Sequence, residues 1–491
     1  MKLLQSYSDI REISEKQQYK VIPICGELLS DFTTPIEILK ILKKASGHVY
    51  MLESARADDK WGRYTFLGYD PLMCITCRDG ELVIKDKSVK TNDPSGYIRE
   101  ILKDYTSPLM SGLPPFTGGL VGYFSYDYLG YSEPKARGRL NKENSDDFYD
   151  VDLMLFDKVI AFDNVRQKIL LIANMRCEDE EDGYNTAVSE LKSMEWLIKN
   201  GEKSEFNSGC LLGEVTPLFD KEKYCEMVNK AKDHIKEGDI FQIVLSNRLS
   251  VPFEGSLLDT YRMLRTVNPS PYMFYFSGTD IEVAGASPET LVKLEDGVLH
   301  TFPLAGTRRR GSSEAEDEAL EKELLADEKE LAEHNMLVDL GRNDLGKISE
   351  FGTVEVEKLR SIERFSHVMH IGSTVRGKIR KDKDALDAIE AVLPAGTLSG
   401  APKIRACELI SEFEGNKRGI YGGAIGYIDF RGNMDTCIAI RLIYKKGEEV
   451  FVRSGAGIVA DSDPEKEFEE CMNKARASLM SLELAQEKTE I

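Results

Sequence analysis

Two pairs of glutamates stand at helical spacing in distant parts of the chain. Glu330 and Glu333 are three residues apart in ELAEH, and Glu467 and Glu470 repeat that spacing near the C-terminus, followed by Lys474. Because positions i and i+3 share one face of a helix, each pair presents two carboxylates together. Carboxylate oxygens are ligands that Mg2+ prefers, so the two pairs are candidate metal ligands. Taken singly, each helix also fits a solvated, salt-bridged surface.

Glycine-rich segments and one arginine suggest a site for an anionic ligand. SGAGIVADSD contains Gly455 and Gly457, which let backbone N–H groups approach an anion, and Arg441 is able to bind a carboxylate through two hydrogen bonds. PAGTLSGAPK precedes a helix, whose N-terminus favours negative charge. His370 is a candidate base beside an organic acid. Ordinary turns, helix caps and packed histidines explain each of these features when it is taken alone.

Composition limits the class of protein. The chain has 491 residues, 42% of them hydrophobic, and a formal net charge of −20. A nucleic-acid binder needs a basic face, so the charge disfavours nucleic acid as a partner. Apolar runs are too short for a membrane span, and the N-terminus does not resemble a secretory signal, so we expect a cytoplasmic enzyme with no membrane partner. The nine scattered cysteines include none in the GxCxG setting of a glutaminase nucleophile.

The elements that must position these residues are of mixed type. Strand-like runs such as GHVYMLES alternate with helix-like spacing such as PIEILKILKKA, and hairpin-like strand pairs stand beside separate helices. This pattern predicts an α+β fold with antiparallel sheets. A polar stretch divides the chain into an N-terminal domain (1–200) and a second domain (217–491). We expect one long helix from Ser312 to about Gly341, and a C-terminal helix capped by Asp463 with Pro464 in its first turn.

Ten segments in fixed order resemble the chorismate-utilising enzymes, and among them the large subunits of anthranilate synthases. They are MLES, NPSPYMFYF, GASPE, PLAGTRRRG, ELAEHNMLVDLGRNDLG, HVMHIGSTVRG, LPAGTLSGAPK, GIYGGAIGY, CIAIR and SGAGIVADSDPEKEFEEC. The resemblance implies antiparallel β-sheets packed together and flanked by helices. It also implies Mg2+-dependent amination of chorismate and loss of pyruvate to give anthranilate, the first committed step of tryptophan biosynthesis.

The resemblance also implies roles for individual residues. Glu289, from GASPE, corresponds to the general acid that protonates the departing hydroxyl, and we assign His370 to the elimination that releases pyruvate. The expected metal ligands are Glu330, Glu333, Glu467 and Glu470. The expected substrate contacts are Thr397, Tyr421, Arg441, Gly455, Ala456, Gly457 and Lys474.

Two positions separate this chain from other members of the resembled family. Ala305 stands where some aminodeoxychorismate synthases have a lysine that attacks the substrate, as in PIKGT. Gln242 stands where isochorismate and salicylate synthases have a lysine that activates water, and a neutral amide cannot act as that base. Both residues favour attack by ammonia. Because no glutaminase segment is recognisable, the resemblance implies a glutamine amidotransferase subunit as the ammonia donor.

The resemblance further implies a site where tryptophan inhibits the enzyme. Methionine and tyrosine pack well against an indole ring, while polar groups hold the amino and carboxyl ends. The residues expected in this site are Leu52, Glu53, Ser54, Asn268, Pro271, Tyr272, Met273, Tyr427 and Cys437. A strand followed by a simple turn is the alternative explanation for MLES.

Two other functions stay open at this level. One is the first component of an aminodeoxychorismate synthase of the folate pathway, because some members of that group lack the lysine that Ala305 replaces. The other is a non-catalytic regulator that binds tryptophan, which the acidic residues, Arg441, Lys474 and His370 disfavour.

Overall fold

The computed structural model describes residues 1–15, 18–55, 62–133, 147–178, 180–204, 209–364 and 368–487. Its helices are α1 (Tyr7–Ser14), α2 (Pro35–Ala45), α3 (Pro94–Lys103), α4 (Leu129–Ser132), α5 (Glu180–Asn200), α6 (Lys221–Glu237), α7 (Leu258–Val267), α8 (Glu314–Ala326), α9 (Glu328–Gly346), α10 (Ala385–Val392), α11 (Lys403–Glu414) and α12 (Pro464–Glu487). Short 3-10 turns occupy Tyr126–Tyr128 and Gly396–Leu398.

The strands before the polar stretch are β1 (Lys2–Leu3), β2 (Val21–Leu29), β3 (Val49–Glu53), β4 (Tyr64–Tyr69), β5 (Met73–Arg78), β6 (Glu81–Ile84), β7 (Lys87–Lys90), β8 (Gly119–Phe124), β9 (Val151–Phe156), β10 (Lys158–Asp163) and β11 (Lys168–Arg176). Those after it are β12 (Cys210–Leu211), β13 (Thr216–Pro217), β14 (Gln242–Glu254), β15 (Tyr272–Ser277), β16 (Glu282–Ser287), β17 (Thr290–Glu295), β18 (Val298–Thr301), β19 (Leu304–Arg309), β20 (Glu355–Arg364), β21 (Val368–Lys378), β22 (Gly400–Ala401), β23 (Ala424–Asp429), β24 (Met434–Ile438), β25 (Leu442–Lys446) and β26 (Glu449–Ile458).

Two large sheets organise the described part of the chain. One runs β1-β2-β11-β10-β4-β3-β15-β16-β25-β26-β14-β12, with β13 and β22 also paired to β14. The other runs β19-β21-β18-β17-β24-β23-β8-β9-β5-β6-β7, with β20 paired to β21. Neighbouring strands are antiparallel in both sheets, as in the long pair β14 and β26. The predicted α+β fold is confirmed.

The sheets pack face to face, and helices cover their outer faces. Side chains alternate along each strand. In β3, Val49 and Met51 join the outer core beneath α2, α5, α7 and α12, whereas Tyr50 packs into an aromatic core between the sheets. Helices α3, α9 and α10 cover the outer face of the other sheet. Each sheet is therefore buried on both faces over much of its area.

Each sheet joins a block of strands from the N-terminal part of the chain to a block from the C-terminal part. β3 pairs with β15 in one sheet, and β8 pairs with β23 in the other. The proposed division into 1–200 and 217–491 stays a prediction, and hydrogen bonds cross it in both sheets.

The single helix expected from Ser312 to Gly341 is wrong, because the structure divides it into α8 and α9. Asp327 has φ −75° and ψ 105°, outside the helical region, and its side chain accepts hydrogen bonds from the N–H groups of Lys329 and Glu330. An aspartate that bonds the next turn starts a new helix instead of continuing the old one. The predicted cap of α12 is confirmed, since Asp463 accepts from the N–H of Glu465 at 3.0 Å. None of the described helices is long and apolar enough to cross a membrane.

Candidate active site

Glu289 lies in the short connection between β16 and β17. The hydroxyl of Thr397 donates a hydrogen bond to Glu289 Oε1 at 3.1 Å. Burial raises the pKa of Glu289 to about 7, although the Thr397 hydrogen bond and the charge of Arg441 both favour the ionised form. A carboxyl group that titrates near neutrality is suited to give up a proton at neutral pH.

Arg441 connects β24 to β25 in a left-handed conformation, with φ 51°. Its carbonyl oxygen accepts the N–H of Ala286 at 3.0 Å, which fixes the backbone at this turn. Solvent reaches the side chain, yet burial lowers its pKa while the charge of Glu289 opposes that shift. The guanidinium is therefore accessible to solvent and close enough to Glu289 for their charges to interact.

His370 lies in β21 beside the bulge of β19. Its Nδ1 donates to the carbonyl oxygen of Gly306 at 2.9 Å. Because a carbonyl oxygen only accepts, Nδ1 carries the proton and Nε2 is the basic nitrogen of the neutral ring. Burial lowers the pKa of His370, the Gly306 hydrogen bond opposes this, and the charge of Arg441 lowers it further. The ring is thus neutral at neutral pH, the form that a base requires.

Two of the candidate metal ligands, Glu330 and Glu333, lie in the first two turns of α9. A Cβ atom on Gly306, next to His370, would lie 3.1 Å from Glu330 Oε2, so this glutamate contacts β19. Burial raises the pKa of Glu333, and so does the charge of Glu330. Glu470 and Lys474 of α12 also act on Glu333. The N-terminal part of α9 therefore faces α12.

The other candidate pair, Glu467 and Glu470, lies in α12. Burial raises the pKa of Glu467, with a further contribution from the charge of Glu470, while Lys474 and Lys329 lower it. Lys329 belongs to α9, so charges of both helices act on one region.

The four glutamates approach one another without forming a tight cluster. Among the described residues, ligand-type atoms gather three at a time within 4.8 Å only at His234, Glu237 and Asp239. Lys474 Nζ lies 2.7 Å from Glu470 Oε1, and Arg308 Nη1 lies 3.5 Å from Glu330 Oε1. A set made of carboxylates from two facing helices fits a hard divalent cation such as Mg2+, which keeps part of its water and needs few protein ligands.

A strip of bare backbone on β26 lies beside this region. A Cβ atom on Gly455 would lie 3.1 Å from the Tyr421 hydroxyl, and one on Gly457 would lie 3.2 Å from Gln242 Nε2. Lys474 Nζ donates to the carbonyl oxygen of Gly455 at 3.1 Å. The two glycines share one face of the strand because they are two residues apart. A Cβ atom on Gly455 would also lie only 2.6 Å from the carbonyl oxygen of Leu245, so a side chain there would clash with the neighbouring strand, whereas one on Gly457 would crowd the Gln242 amide.

Ala456 points to the opposite face of β26 and is buried in the core under α6 and α11. Only its backbone is therefore placed to contact a ligand. The remaining catalytic and substrate candidates are linked to one another by hydrogen bonds, charge interactions or close approach. Thr397 is bonded to Glu289, and the charge of Arg441 acts on both Glu289 and His370. Lys474 acts on Glu333 of the candidate metal ligands, and Tyr421 and Gln242 lie beside the glycines of β26.

A separate cavity of about 120 Å³ lies between the two sheets. Eight of the nine residues expected to bind tryptophan line it: Leu52, Glu53, Ser54, Pro271, Tyr272, Met273, Tyr427 and Cys437. Asn268, which ends α7, does not. The carboxylate of Glu53 is bonded to Tyr261 at 2.6 Å and to Arg265 at 3.0 Å.

Sequence reasoning missed two groups of polar residues, one in this cavity and one in a second, smaller cavity. Asp435 accepts a hydrogen bond from the Tyr272 hydroxyl at 2.8 Å in the larger cavity. Asp344 lines a smaller cavity together with Glu289 and is bonded to Lys403. Asp344 and Lys403 stand inside the segments that carry the family resemblance, which is the signal that could have drawn attention to them.

Comparisons with known proteins agree with this geometry. The family model of chorismate binding enzymes matches residues 48–480. The chain is 44% identical to anthranilate synthase component 1 of Acetivibrio thermocellus, over 96% of this chain and 97% of that protein. It is 43% identical to the Aquifex aeolicus protein of the same name, over the full length of both. The chain belongs to the chorismate-binding enzymes, in their anthranilate synthase component 1 family.

Solved structures extend this relationship. Anthranilate synthase component I from Streptococcus pneumoniae is 36% identical and superposes with a TM-score of 0.77, covering 92% of this chain and 98% of that chain. MenF, the menaquinone-specific isochorismate synthase from Escherichia coli, is 18% identical with a TM-score of 0.69, covering 97% and 98%. At that identity the likeness concerns the fold alone. The resemblance to chorismate-utilising enzymes that the motifs indicated is confirmed.

Proposed function

We propose that this enzyme converts chorismate and ammonia into anthranilate and pyruvate. The observation that carries the proposal is that the charge of Arg441 acts on both Glu289 and His370, with carboxylates of two helices close to His370. This arrangement offers an acid, an anion-binding cation, a base and oxygen ligands for a divalent cation. Those are the groups that amination of a cyclic diacid followed by elimination requires.

Arg441 and the backbone of Gly455 to Gly457 hold the enolpyruvyl carboxylate of chorismate. Arginine binds carboxylates through two parallel hydrogen bonds. Tyr421, Lys474 and Thr397 contact the rest of the substrate. Glycine at 455 and 457 avoids a side chain that would crowd Tyr421 and Gln242.

Glu289 supplies the proton for the first half of the reaction. Ammonia adds to ring carbon 2, the ring double bonds shift, and the 4-hydroxyl leaves with the proton of Glu289 as water. Water is a far better leaving group than hydroxide, so a carboxyl that stays protonated near neutrality accelerates this step. Burial gives Glu289 that property.

His370 acts in the second half. Its neutral ring removes the proton from ring carbon 2 while the bond from ring carbon 3 to the enolpyruvyl oxygen breaks. The departing enolpyruvate takes up a proton to become pyruvate, and the ring becomes aromatic. The hydrogen bond from Nδ1 to Gly306 fixes the tautomer and the ring orientation, which directs Nε2 as the base.

Glu330, Glu333, Glu467 and Glu470 would hold Mg2+, with some of these contacts made through water. When bound, the ion supplies Lewis-acid stabilisation and a fixed position for the ring carboxylate of the substrate.

Ammonia is the nucleophile because neither position that carries a lysine in the resembled enzymes does so here. Ala305 is buried in β19, and Gln242 is a buried neutral amide at the start of β14. We propose a glutamine amidotransferase subunit as the ammonia source, feedback inhibition by tryptophan at the larger cavity, and a cytoplasmic location.

One assay tests the function directly. The purified chain is incubated with chorismate, Mg2+ and ammonium salt, and products are followed by anthranilate fluorescence and mass spectrometry, with and without tryptophan and with a chelator as control. We expect anthranilate that depends on Mg2+ and is suppressed by tryptophan. Aminodeoxychorismate in place of anthranilate would assign the chain to the folate-type reaction, and no consumption of chorismate would refute an enzymatic role.

A further inference from the structure

A buried ion pair borders the smaller cavity, whose volume is about 40 Å³. Lys403 Nζ donates to Asp344 Oδ2 at 2.7 Å and to the carbonyl oxygen of Val392 at 2.8 Å. The side chains of Lys403 and Asp344 are 10% and 5% exposed. Neither residue contacts the reacting groups, and none of the roles proposed above uses them.

The pair joins three helices around the segment that carries Thr397. Asp344 lies in the last turn of α9, Lys403 begins α11, and Val392 ends α10. Residues 393–402 connect α10 to α11, so the ion pair fastens both ends of this segment to α9. The ammonium group of Lys403 lies at the C-terminus of α10, where the carbonyl oxygen of Val392 has no partner within the helix and accepts its hydrogen bond.

The segment is held differently on its two sides. On one side, Val244 N–H donates to the carbonyl oxygen of Ser399 at 2.9 Å, and Arg418 Nη1 donates to that of Leu398 at 2.7 Å. On the side of α9, Gly396 packs so closely that a Cβ atom there would lie 2.6 Å from Leu340 Cδ1. The cavity occupies the remaining space between α9 and the segment.

Close packing normally fixes the separation of two elements, but it cannot do so across a cavity, where the lining atoms lack contacts on one side. The ion pair therefore contributes, together with the packing of Leu340 on Gly396, to the distance between the segment and α9. Thr397 follows Gly396 directly, and its hydroxyl lies 3.1 Å from Glu289 Oε1. A shift of the segment relative to α9 would change that distance and weaken the hydrogen bond.

We propose that Asp344, through Lys403, is a positioning residue for the catalytic acid, because it holds Thr397 where its hydroxyl donates to Glu289. This inference rests on the proposed role of Glu289. The Thr397 hydrogen bond stabilises the ionised form of Glu289, so its loss raises the pKa of the acid further. The same loss frees the carboxyl group to rotate away from the departing hydroxyl.

The test compares Asp344→Asn with Thr397→Val in the full chain, assayed with chorismate, Mg2+ and ammonium across pH. Both variants should lower kcat by about tenfold or more, since misplaced catalytic groups are costly. In both, the alkaline fall in activity should move to higher pH by the same amount. The double variant should lose no more than Thr397→Val alone, because both changes remove the same hydrogen bond.

Asp339→Asn is the matched control. Asp339 is on the same helix, is exposed, and pairs only at the surface with Arg342 at 2.9 Å among the described contacts. We expect the wild-type rate and pH profile from it. Should Asp344→Asn fail to fold, Lys403→Gln breaks the same pair and is judged by the same two readouts.

Two results would overturn the proposal. One is a lowered melting temperature in Asp344→Asn with an unchanged kcat and alkaline limb, which would make the pair a structural clamp only. The other is strictly additive losses in the double variant. Failure of the proposed function looks different, because then wild-type chain would form no anthranilate or Glu289→Gln would keep full activity.

Discussion

The hydroxyl of Thr290 lies 2.9 Å from the hydroxyl of Tyr272, and this hydrogen bond joins the two cavities. Tyr272 lines the larger cavity, and Thr290, the neighbour of Glu289, lines the smaller one. Because Tyr272 gives its own proton to Asp435, Thr290 is the donor.

Strand β24 provides a second connection. Cys437 lines the larger cavity, and the adjacent Ile438 lines the smaller one. The N–H of Ile438 donates to the carbonyl oxygen of Glu289 at 2.9 Å. A ligand that displaced Tyr272 or β24 would act on the residues that hold Glu289, the proposed acid, and such contacts would give the two sites a coupling free energy.

Tyr272→Phe tests this connection. The phenyl ring of the variant still lines the cavity, so the affinity for tryptophan, measured by calorimetry, should change little. The hydrogen bonds to Thr290 and Asp435 are both lost, so the connection to Thr290 is broken and the inhibition of anthranilate formation at saturating tryptophan should weaken about fivefold or more. Tyr444→Phe, which alters a buried tyrosine outside the cavity wall, should leave both measurements unchanged. Full inhibition in Tyr272→Phe would show that the hydroxyl plays no part.

Ser54→Phe tests the location of the effector site. Ser54 lines a cavity of only about 120 Å³, so a phenyl group there would occupy the space that an indole ring needs. We expect loss of tryptophan inhibition with ammonium-dependent activity within about twofold of wild type, because Ser54 lines the larger cavity and does not line the smaller one that contains Glu289. Ser54→Ala, which adds no volume, should remain inhibited. Normal inhibition of Ser54→Phe would place the tryptophan site elsewhere.

The elements that local pattern specifies were predictable from sequence. α2, α6 and α12 follow the apolar spacing and caps of their own segments, and the hairpin-like runs become antiparallel strands. The break at Asp327 was not predictable from spacing, since aspartate is tolerated in a helix and becomes a cap only when its side chain turns to the next backbone.

Pairing between distant segments was equally out of reach. Nothing in MLES reveals that β3 lies against β15, or that the carboxylate of Glu53 is taken up by Tyr261 and Arg265 of α7. The motifs identified Glu289, whereas the pair of Asp344 and Lys403 depends on helix ends meeting in space. Sequence motifs indicate candidate catalytic residues, but the residues that hold them in place are determined by tertiary contacts.

The pH dependence of Glu289 yields a prediction with two readouts. The pKa of Glu289 is about 7 in the folded chain, compared with 4.5 for a glutamate in an unfolded chain, so folding makes its ionisation less favourable. Folding stability from this group is complete below pH 4.5 and falls as pH rises through 7, by roughly 3 kcal/mol in total. Activity that requires the protonated acid falls over the upper part of that range.

Glu289→Gln removes both effects. We expect anthranilate formation to fall about 100-fold or more, because an amide cannot supply the proton. Chemical denaturation at pH 5 and pH 8 should show the variant gaining stability relative to wild type as pH rises. Parallel stability curves for the two proteins would mean that Glu289 does not titrate in this range.

His370→Ala separates the two halves of the reaction. The acid and the anion-binding groups remain, so chorismate should still be consumed while anthranilate forms about 100-fold more slowly. An aminated compound that retains the enolpyruvyl group should accumulate and be seen by mass spectrometry. His234→Ala, on α6 and paired with Asp239, is the control and should behave as wild type. Anthranilate formation at the normal rate would remove His370 from the mechanism.

Gln242→Lys tests the proposed preference for ammonia over water. Gln242 Nε2 would lie 3.2 Å from a Cβ atom on Gly457, so a lysine here starts beside the bare backbone strip of β26. Desolvation at this buried position lowers the pKa of a lysine amine, which makes it a base able to activate water. In water labelled with oxygen-18 and without ammonium, we expect a labelled hydroxylated isomer of chorismate that wild type does not form. Gln242→Met keeps the length without the amine and should give none, so equal product from both variants, or from neither, would show that this position does not choose the nucleophile.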